Sequence, residues 1–153
     1  GFKYNYWELH GACIRVEIGP RDLEAGTVMV SRRDTADKQT LSLDASMPAK
    51  LVDLLTEIQK DIFDRALAFR EANTHRVDTW EEFEKFFVGE GGGGFVIAHW
   101  DGTKETEDAI AAKTKATIRC IPLEPLHPDD DQPGACILSG KPSPRRVVFA
   151  KAY

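Results

Sequence analysis

Ile14-Arg15-Val16-Glu17-Ile18 runs directly into Gly19-Pro20-Arg21-Asp22. Its apolar and charged side chains alternate with period two and stop at a Gly-Pro pair, so the run reads as a strand with a turn behind it. Thr27–Arg32 is a second run rich in β-branched residues, closed by the polar patch Asp34–Lys38. Gln39–Leu43 alternates polar and apolar positions and is predicted to pair with that second run as a hairpin.

Immediately upstream stand Tyr4, Tyr6, Trp7 and Glu8. A flat ring, a carboxylate and guanidinium groups on one short surface suit a purine base that has left its stack. The ring stacks, the carboxylate accepts from the Watson–Crick edge of guanine, and arginine donates to the acceptors on its other edge.

Downstream, Leu51, Leu54, Leu55, Ile58, Ile62, Ala66 and Phe69 recur at three- and four-residue steps and predict one long helix with an apolar stripe. Ser46 is placed to cap it, Pro48 suits its first turn, and Asn73-Thr74 ends it. A second unit then begins. Thr79-Trp80-Glu81-Glu82 has the form of a capping box before a short helix to about Val88. Gly91–Gly94 is a turn, and Phe95–Trp100 reads as a strand. Thr103 caps an acid-led helix to about Lys113. Thr117–Pro122 and Arg145–Ala150 are two more strands, with a Pro- and Asp-rich loop, His127–Gly134, between them.

The 153 residues, 42% hydrophobic, suffice for one good core or two small ones. There is no apolar run of membrane-spanning length and no basic-then-apolar leader pattern, so a cytoplasmic protein with no membrane role is expected. Cys13, Cys120 and Cys136 are odd in number and irregular in spacing, which argues against a disulfide framework. The net charge of −5 is unevenly spread: 0 over residues 1–40, −8 over 41–110 and +3 over 111–153. The first forty residues do not repel RNA, but they lack the excess of cations that nonspecific phosphate binding requires.

Gly91–Gly94 lacks the Lys-Ser/Thr of a phosphate loop and precedes a strand, so it reads as a turn. No nucleophile elbow, metalloprotease helix or dinucleotide fingerprint is present, and no catalytic residue is assigned. Asp129–Asp131 reads as a solvated loop. Arg32, Arg33, Arg145 and Arg146 read as solvated charges, with a direct RNA role open for the first pair.

The blocks Lys3–Leu9, Arg15–Leu23, Ser31–Thr35, Thr117–Pro122 and Val148–Tyr153 together resemble the C-terminal part of prolyl-tRNA synthetase. The form they resemble is the eukaryote/archaeon-like type with an extra C-terminal zinc-type domain. The resemblance implies an α/β fold: residues 1–72 as the later portion of a class II anticodon-binding domain, with a mixed sheet and flanking helices, and residues 74–153 as a small α+β C-terminal domain with about three strands. It also implies that the first strand and helix of the anticodon domain lie upstream of Gly1.

By position, the family's anticodon readers fall on Tyr4 as the stacking ring and on Glu8, Arg15 and Arg21 as base-edge contacts, with Lys38 a weaker candidate for phosphate. Proline anticodons carry two guanines, and a bidentate contact to guanine is worth about 1–3 kcal/mol of discrimination. The alternative is that Tyr4 packs and Glu8–Arg15 is a surface ion pair of small energetic weight. Tyr153 is shared with the family, where the C-terminal end reaches toward the catalytic domain; a solvated chain end is the other reading.

The family's four zinc cysteines fall on Asp101, Thr106, Cys136 and Ser139. With one thiol left, no zinc is expected, and a hydrogen-bond cluster of Asp101, Thr106 and Ser139 is a candidate substitute. The core of the second unit is expected to contain Phe95, Ile97, Ile118, Ile121 and Val148. The resemblance further implies a proline–tRNA ligase that uses ATP and Mg, binds tRNA(Pro) and forms a homodimer. The class II catalytic motifs are absent from these residues, so this chain alone is expected to be inactive and to serve its enzyme's catalytic domain. The rival reading is a protein-interaction or dimerisation module with little RNA contact.

Overall fold

The computed structural model describes residues 1–89 and 93–152. Two compact units, Gly1–Ala68 and Phe69–Tyr153, account for the chain. Gly91, Gly92 and Tyr153 lie outside the described residues.

The first unit runs α1 (Phe2–Leu9), β1 (Ile14–Glu17), α2 (Pro20–Ala25), β2 (Thr27–Arg32), β3 (Lys38–Ser42) and α3, whose full span is Met47–Ala72. The three strands form one antiparallel sheet in the order β1-β2-β3. The turn after β1 becomes α2, because Pro20 occupies its first position and the Asp22 carboxylate accepts from Gly19 N at 2.8 Å. Period-two alternation sends Val28 and Val30 to one face of β2. There they bury completely against Leu54 and Ile58 of α3, with Ile14, Leu41, Met47 and Leu51 around them. Each such aliphatic burial contributes about 1.5–3 kcal/mol. The apolar stripe expected along α3 is only partly used: Leu55, Ile62 and Phe69 are exposed.

The second unit contains β4 (Thr74–Arg76), α4 (Trp80–Val88), β5 (Phe95–His99), α5 (Lys104–Thr114), β6 (Ala116–Cys120), β7 (Gly134–Ala135), β8 (Pro142–Ser143) and β9 (Arg146–Lys151). Its main sheet is mixed, ordered β4-β5-β9-β6, with β4 parallel to β5 and the other pairs antiparallel. The short β4, unread in the sequence, pairs with β5 near the start of the second unit, and β7–β8 adds a small hairpin. Thr79 and Thr103 cap α4 and α5, accepting from Glu82 N at 3.3 Å and from Thr106 N at 3.4 Å. Gly94 is obligatory: its φ is +131°, and a Cβ there would meet the Asn73 carbonyl oxygen at 2.5 Å.

Val96 and Ala98 of β5 lie opposite Phe149 and Val147 of β9 and bury with Phe83, Phe87 and Ile110. Phe83 meets Phe149 edge to face at 5.0 Å. The expected core is thus corrected. Ile97 and Val148 are buried on the other face and Ile118 is half-buried, but Phe95 and Ile121 are exposed, at the start of β5 and past the end of β6. No described helix is long and apolar enough to cross a membrane.

Candidate nucleic-acid interface

Tyr4, Trp7 and Glu8 stand three and four residues apart on α1 and so share one side of the helix. On β1, Arg15 and Glu17 share the sheet face opposite the one turned to α3, because their neighbours Ile14 and Val16 alternate with them. Docking of α1 against β1 opens a cavity of about 360 Å³ whose lining includes Tyr4, Trp7, Glu8, Arg15, Ser31 and Arg33.

Within it, Arg15 NH1 donates to Glu8 Oε1 at 2.6 Å and Arg15 Nε donates to Glu17 Oε1 at 2.9 Å. The Tyr4 hydroxyl donates to the other Glu17 oxygen at 3.2 Å. Arg15 lies over the Tyr4 ring. The hydrogen bond from Arg15 holds the Glu17 carboxyl below its ordinary range and outweighs the burial that would raise it; Tyr4 and Lys38 add to the effect. Arg33 closes the rim by donating to the Glu8 backbone oxygen at 3.1 Å.

Of the residues expected to read a base, Tyr4, Glu8 and Arg15 therefore converge. Arg21 is exposed on α2 and is not among the cavity's lining residues. Lys38 also lies outside the cavity, although the pairing of Arg15 with Ser31 and of Ser31 with Lys38 puts it in the same cross-strand row as Arg15. Trp7 and Arg33 also line the cavity and Glu17 bonds Arg15 from outside it; from sequence, an RNA role is open for Arg33 and none is assigned to Trp7 or Glu17. The i+3 step from Tyr4 pointed to Trp7, and the i+2 step from Arg15 pointed to Glu17. Nothing local separated Arg33 from Arg32.

Arg32 needs correction. It is buried, not solvated, and donates to Asp34, to Glu57 Oε1 at 2.8 Å and to Asp61 Oδ2 at 2.6 Å. The hydrogen bond from Arg32, joined by one from Arg65 at 3.1 Å, holds the Asp34 carboxyl far below its usual range against the burial that would raise it. Arg32 is therefore a strut between β2 and α3, spent on carboxylates.

In the second unit, Arg146 and Asp130 are also buried, against the expectation of a solvated loop and charge. Arg146 donates to the Val77 carbonyl at 2.9 Å and to Asp78, while Asp130 approaches Arg76 at 3.4 Å. Desolvation, followed by the Arg146 charge, lowers the pKa of His99.

Three of the four positions that the resemblance gives to zinc ligands, Asp101, Thr106 and Ser139, form a hydrogen-bond cluster with Thr103. Asp101 Oδ2 accepts from Thr106 Oγ1 at 2.8 Å and from Ser139 Oγ at 2.7 Å, and Asp101 Oδ1 accepts from Thr103 Oγ1 at 2.8 Å. Burial raises the Asp101 pKa, but the donors Ser139, Thr103 and Thr106 outweigh it and bring it to about 2. One buried thiol, a carboxylate already engaged on both oxygens and two neutral hydroxyls do not fit a tetrahedral zinc, which takes thiolate, imidazole or free carboxylate donors.

Comparison with known proteins finds two family matches along the chain. Residues 1–53 match the family described as "Anticodon binding domain", and residues 80–153 match "Prolyl-tRNA synthetase, C-terminal". The class of protein is thus an aminoacyl-tRNA synthetase anticodon-binding domain followed by a synthetase C-terminal domain. More particularly, the chain corresponds throughout to the C-terminal region of prolyl-tRNA synthetase. It is 48% identical to the proline–tRNA ligase of Prosthecochloris aestuarii, 51% to that of Pelodictyon phaeoclathratiforme and 49% to that of Porphyromonas gingivalis. All of this chain aligns in each case, with 32%, 32% and 29% of the relative, so it spans about a third of their length. The crystal structure of prolyl-tRNA synthetase from Cryptosporidium parvum, complexed with L-proline and AMP, superposes with a TM-score of 0.84 at 29% identity, over 100% of this chain and 31% of that one.

Proposed function

We propose that this chain recognises the anticodon of tRNA(Pro) as part of a proline–tRNA ligase. The observation that carries this reading is the convergence of Tyr4, Glu8 and Arg15 on one cavity between α1 and β1. Glu8 supplies the acceptor for the Watson–Crick edge of a guanine, Arg15 donates to its O6 and N7, and a ring stacks the base. Arg33, at the rim, and Lys38, on the same sheet face, face the RNA backbone; Arg21 contributes only if α2 borders the path of the RNA.

Residues 1–72 act as the anticodon-binding domain and residues 74–153 as a zinc-type domain that works without zinc. Proline activation with ATP and Mg, and transfer of proline to tRNA, belong to the catalytic domain of the same cytoplasmic, homodimeric enzyme. Tyr153 is the residue through which the chain end approaches that domain. Remote contacts of this kind assist chemistry because binding energy made at the anticodon can be used to orient the acceptor end.

The test is charging of tRNA(Pro) by the full enzyme carrying Glu8→Ala or Arg15→Ala. Transfer to tRNA should fall while proline activation stays at the wild-type rate. Unchanged transfer in both variants would reject the reading. A second reading, an interaction module, is favoured by one observation: Val52, Leu55 and Phe63 stand exposed on one stretch of α3, at 62, 45 and 61%. On that reading the α3 face, not Glu8 or Arg15, would be the one sensitive to substitution.

A further inference from the structure

We propose that Glu17 is the positioning residue of this cavity, keeping Arg15 aimed at an incoming guanine while Glu8 exchanges its partner from Arg15 to the base. The proposal rests on the reading of the cavity as an RNA-base site.

The guanidinium has two carboxylate neighbours that play different parts. Glu8 lines the cavity and meets the outer NH1, so any base edge that enters must compete with it or replace it. Glu17 is not among the lining residues; it sits behind, holding Nε with one oxygen and the Tyr4 hydroxyl with the other. Both Arg15 and Glu17 belong to a paired strand, opposite Ser31 and Met29, so their i, i+2 geometry does not depend on a loop. A base that takes the NH1 and NH2 edge of Arg15 leaves the Nε contact to Glu17 intact. The same carboxylate fixes the tilt of the ring against the guanidinium, tying α1 to β1 at the site itself.

Without Glu17 the guanidinium is free to turn its fork onto Glu8. A fork-to-carboxylate pair is the preferred arrangement for these two groups. That pair would occupy the acceptor and the donor together, so the cavity would quench itself. Glu17 prevents this by engaging Nε first. The pKa of Arg15 is raised, and the hydrogen bond to Glu17 is the largest cause.

The experiment measures binding of two stem-loop RNAs, one with the proline anticodon and one with adenine replacing its guanines. The proteins are the wild type, Glu17→Ala, Glu17→Gln and Arg15→Ala, each with its denaturation midpoint. Glu17→Ala should lower the guanine-over-adenine affinity ratio about tenfold, as Arg15→Ala does, with little change in midpoint. Glu17→Gln keeps an oxygen for Nε and should restore part of the ratio. A purely structural Glu17 would instead shift both affinities equally or move the midpoint. A wild-type ratio in Glu17→Ala, with the ratio lost in Arg15→Ala, overturns the positioning role alone. No guanine preference in the wild type overturns the base-site reading, and this proposal with it.

Discussion

The guanidinium carbon of Arg15 lies 4.0 Å from the centroid of the Tyr4 ring. The cation lies over the face of the ring and is held from behind by Glu17 and from the cavity side by Glu8. A lysine would keep the charge, but it has neither the plane to lie on the ring nor the fork to engage a base edge at two points. Arg15→Lys should therefore lose about tenfold of its guanine-over-adenine preference in a stem-loop titration. Lysine performing as well as arginine would show that only the charge matters.

Arg32 and Arg33 should behave oppositely. Removing Arg32 leaves Asp34, itself only 7% exposed at its side chain, without its main counter-ion, and leaves Glu57 and Asp61 facing it. Thermal denaturation of Arg32→Ala is expected to show a fall of more than about 5 °C, because a buried carboxylate loses its partner. Arg33→Ala should leave the midpoint near wild type and weaken RNA binding a few-fold, most visibly at low salt. The reverse pattern would mean that the two arginines have been given each other's roles.

Asp101 carries a pH signature. Its folded pKa of about 2 lies below the ordinary carboxyl value, so its contribution is complete above about pH 4 and is lost as pH falls through about 2. Asp101→Asn should destabilise the second unit by about 1–2 kcal/mol near neutrality and flatten the decline between those pH values. Elemental analysis should find less than one zinc per chain, and a chelator should leave the denaturation midpoint unmoved. Stoichiometric zinc with a chelator-sensitive midpoint would contradict the hydroxyl cluster as the substitute.

His99 titrates in a different window. Its pKa is lowered by burial, so the fold favours the neutral ring; stability is full above about pH 6.5 and declines as pH drops below that. His99→Gln should remove this dependence. Gly134 supports the ring, since a Cβ at that position would run into the His99 imidazole. Gly134→Ala should accordingly cost about 1–3 kcal/mol, as overpacking does, read from chemical denaturation. Wild-type stability in that variant would show that the loop yields easily.

Local signals were enough for most elements. Thr27–Arg32 matched its strand end to end, and the threonine caps marked the starts of α4 and α5, because a hydroxyl near free amides acts over a few residues. The aromatic, acidic and basic residue types of the candidate site were equally visible in order along the chain. What the residues by themselves did not decide was which side of each strand would be covered. Arg32 and Arg33 are adjacent and chemically identical. Period-two alternation puts them on opposite faces, and only the docking of α3, with its carboxylates, buried one and left the other at the cavity rim. The same holds for Asp130 and Arg146, whose partners Arg76, Val77 and Asp78 lie far along the chain, so their roles come from packing between elements and not from any pattern within one.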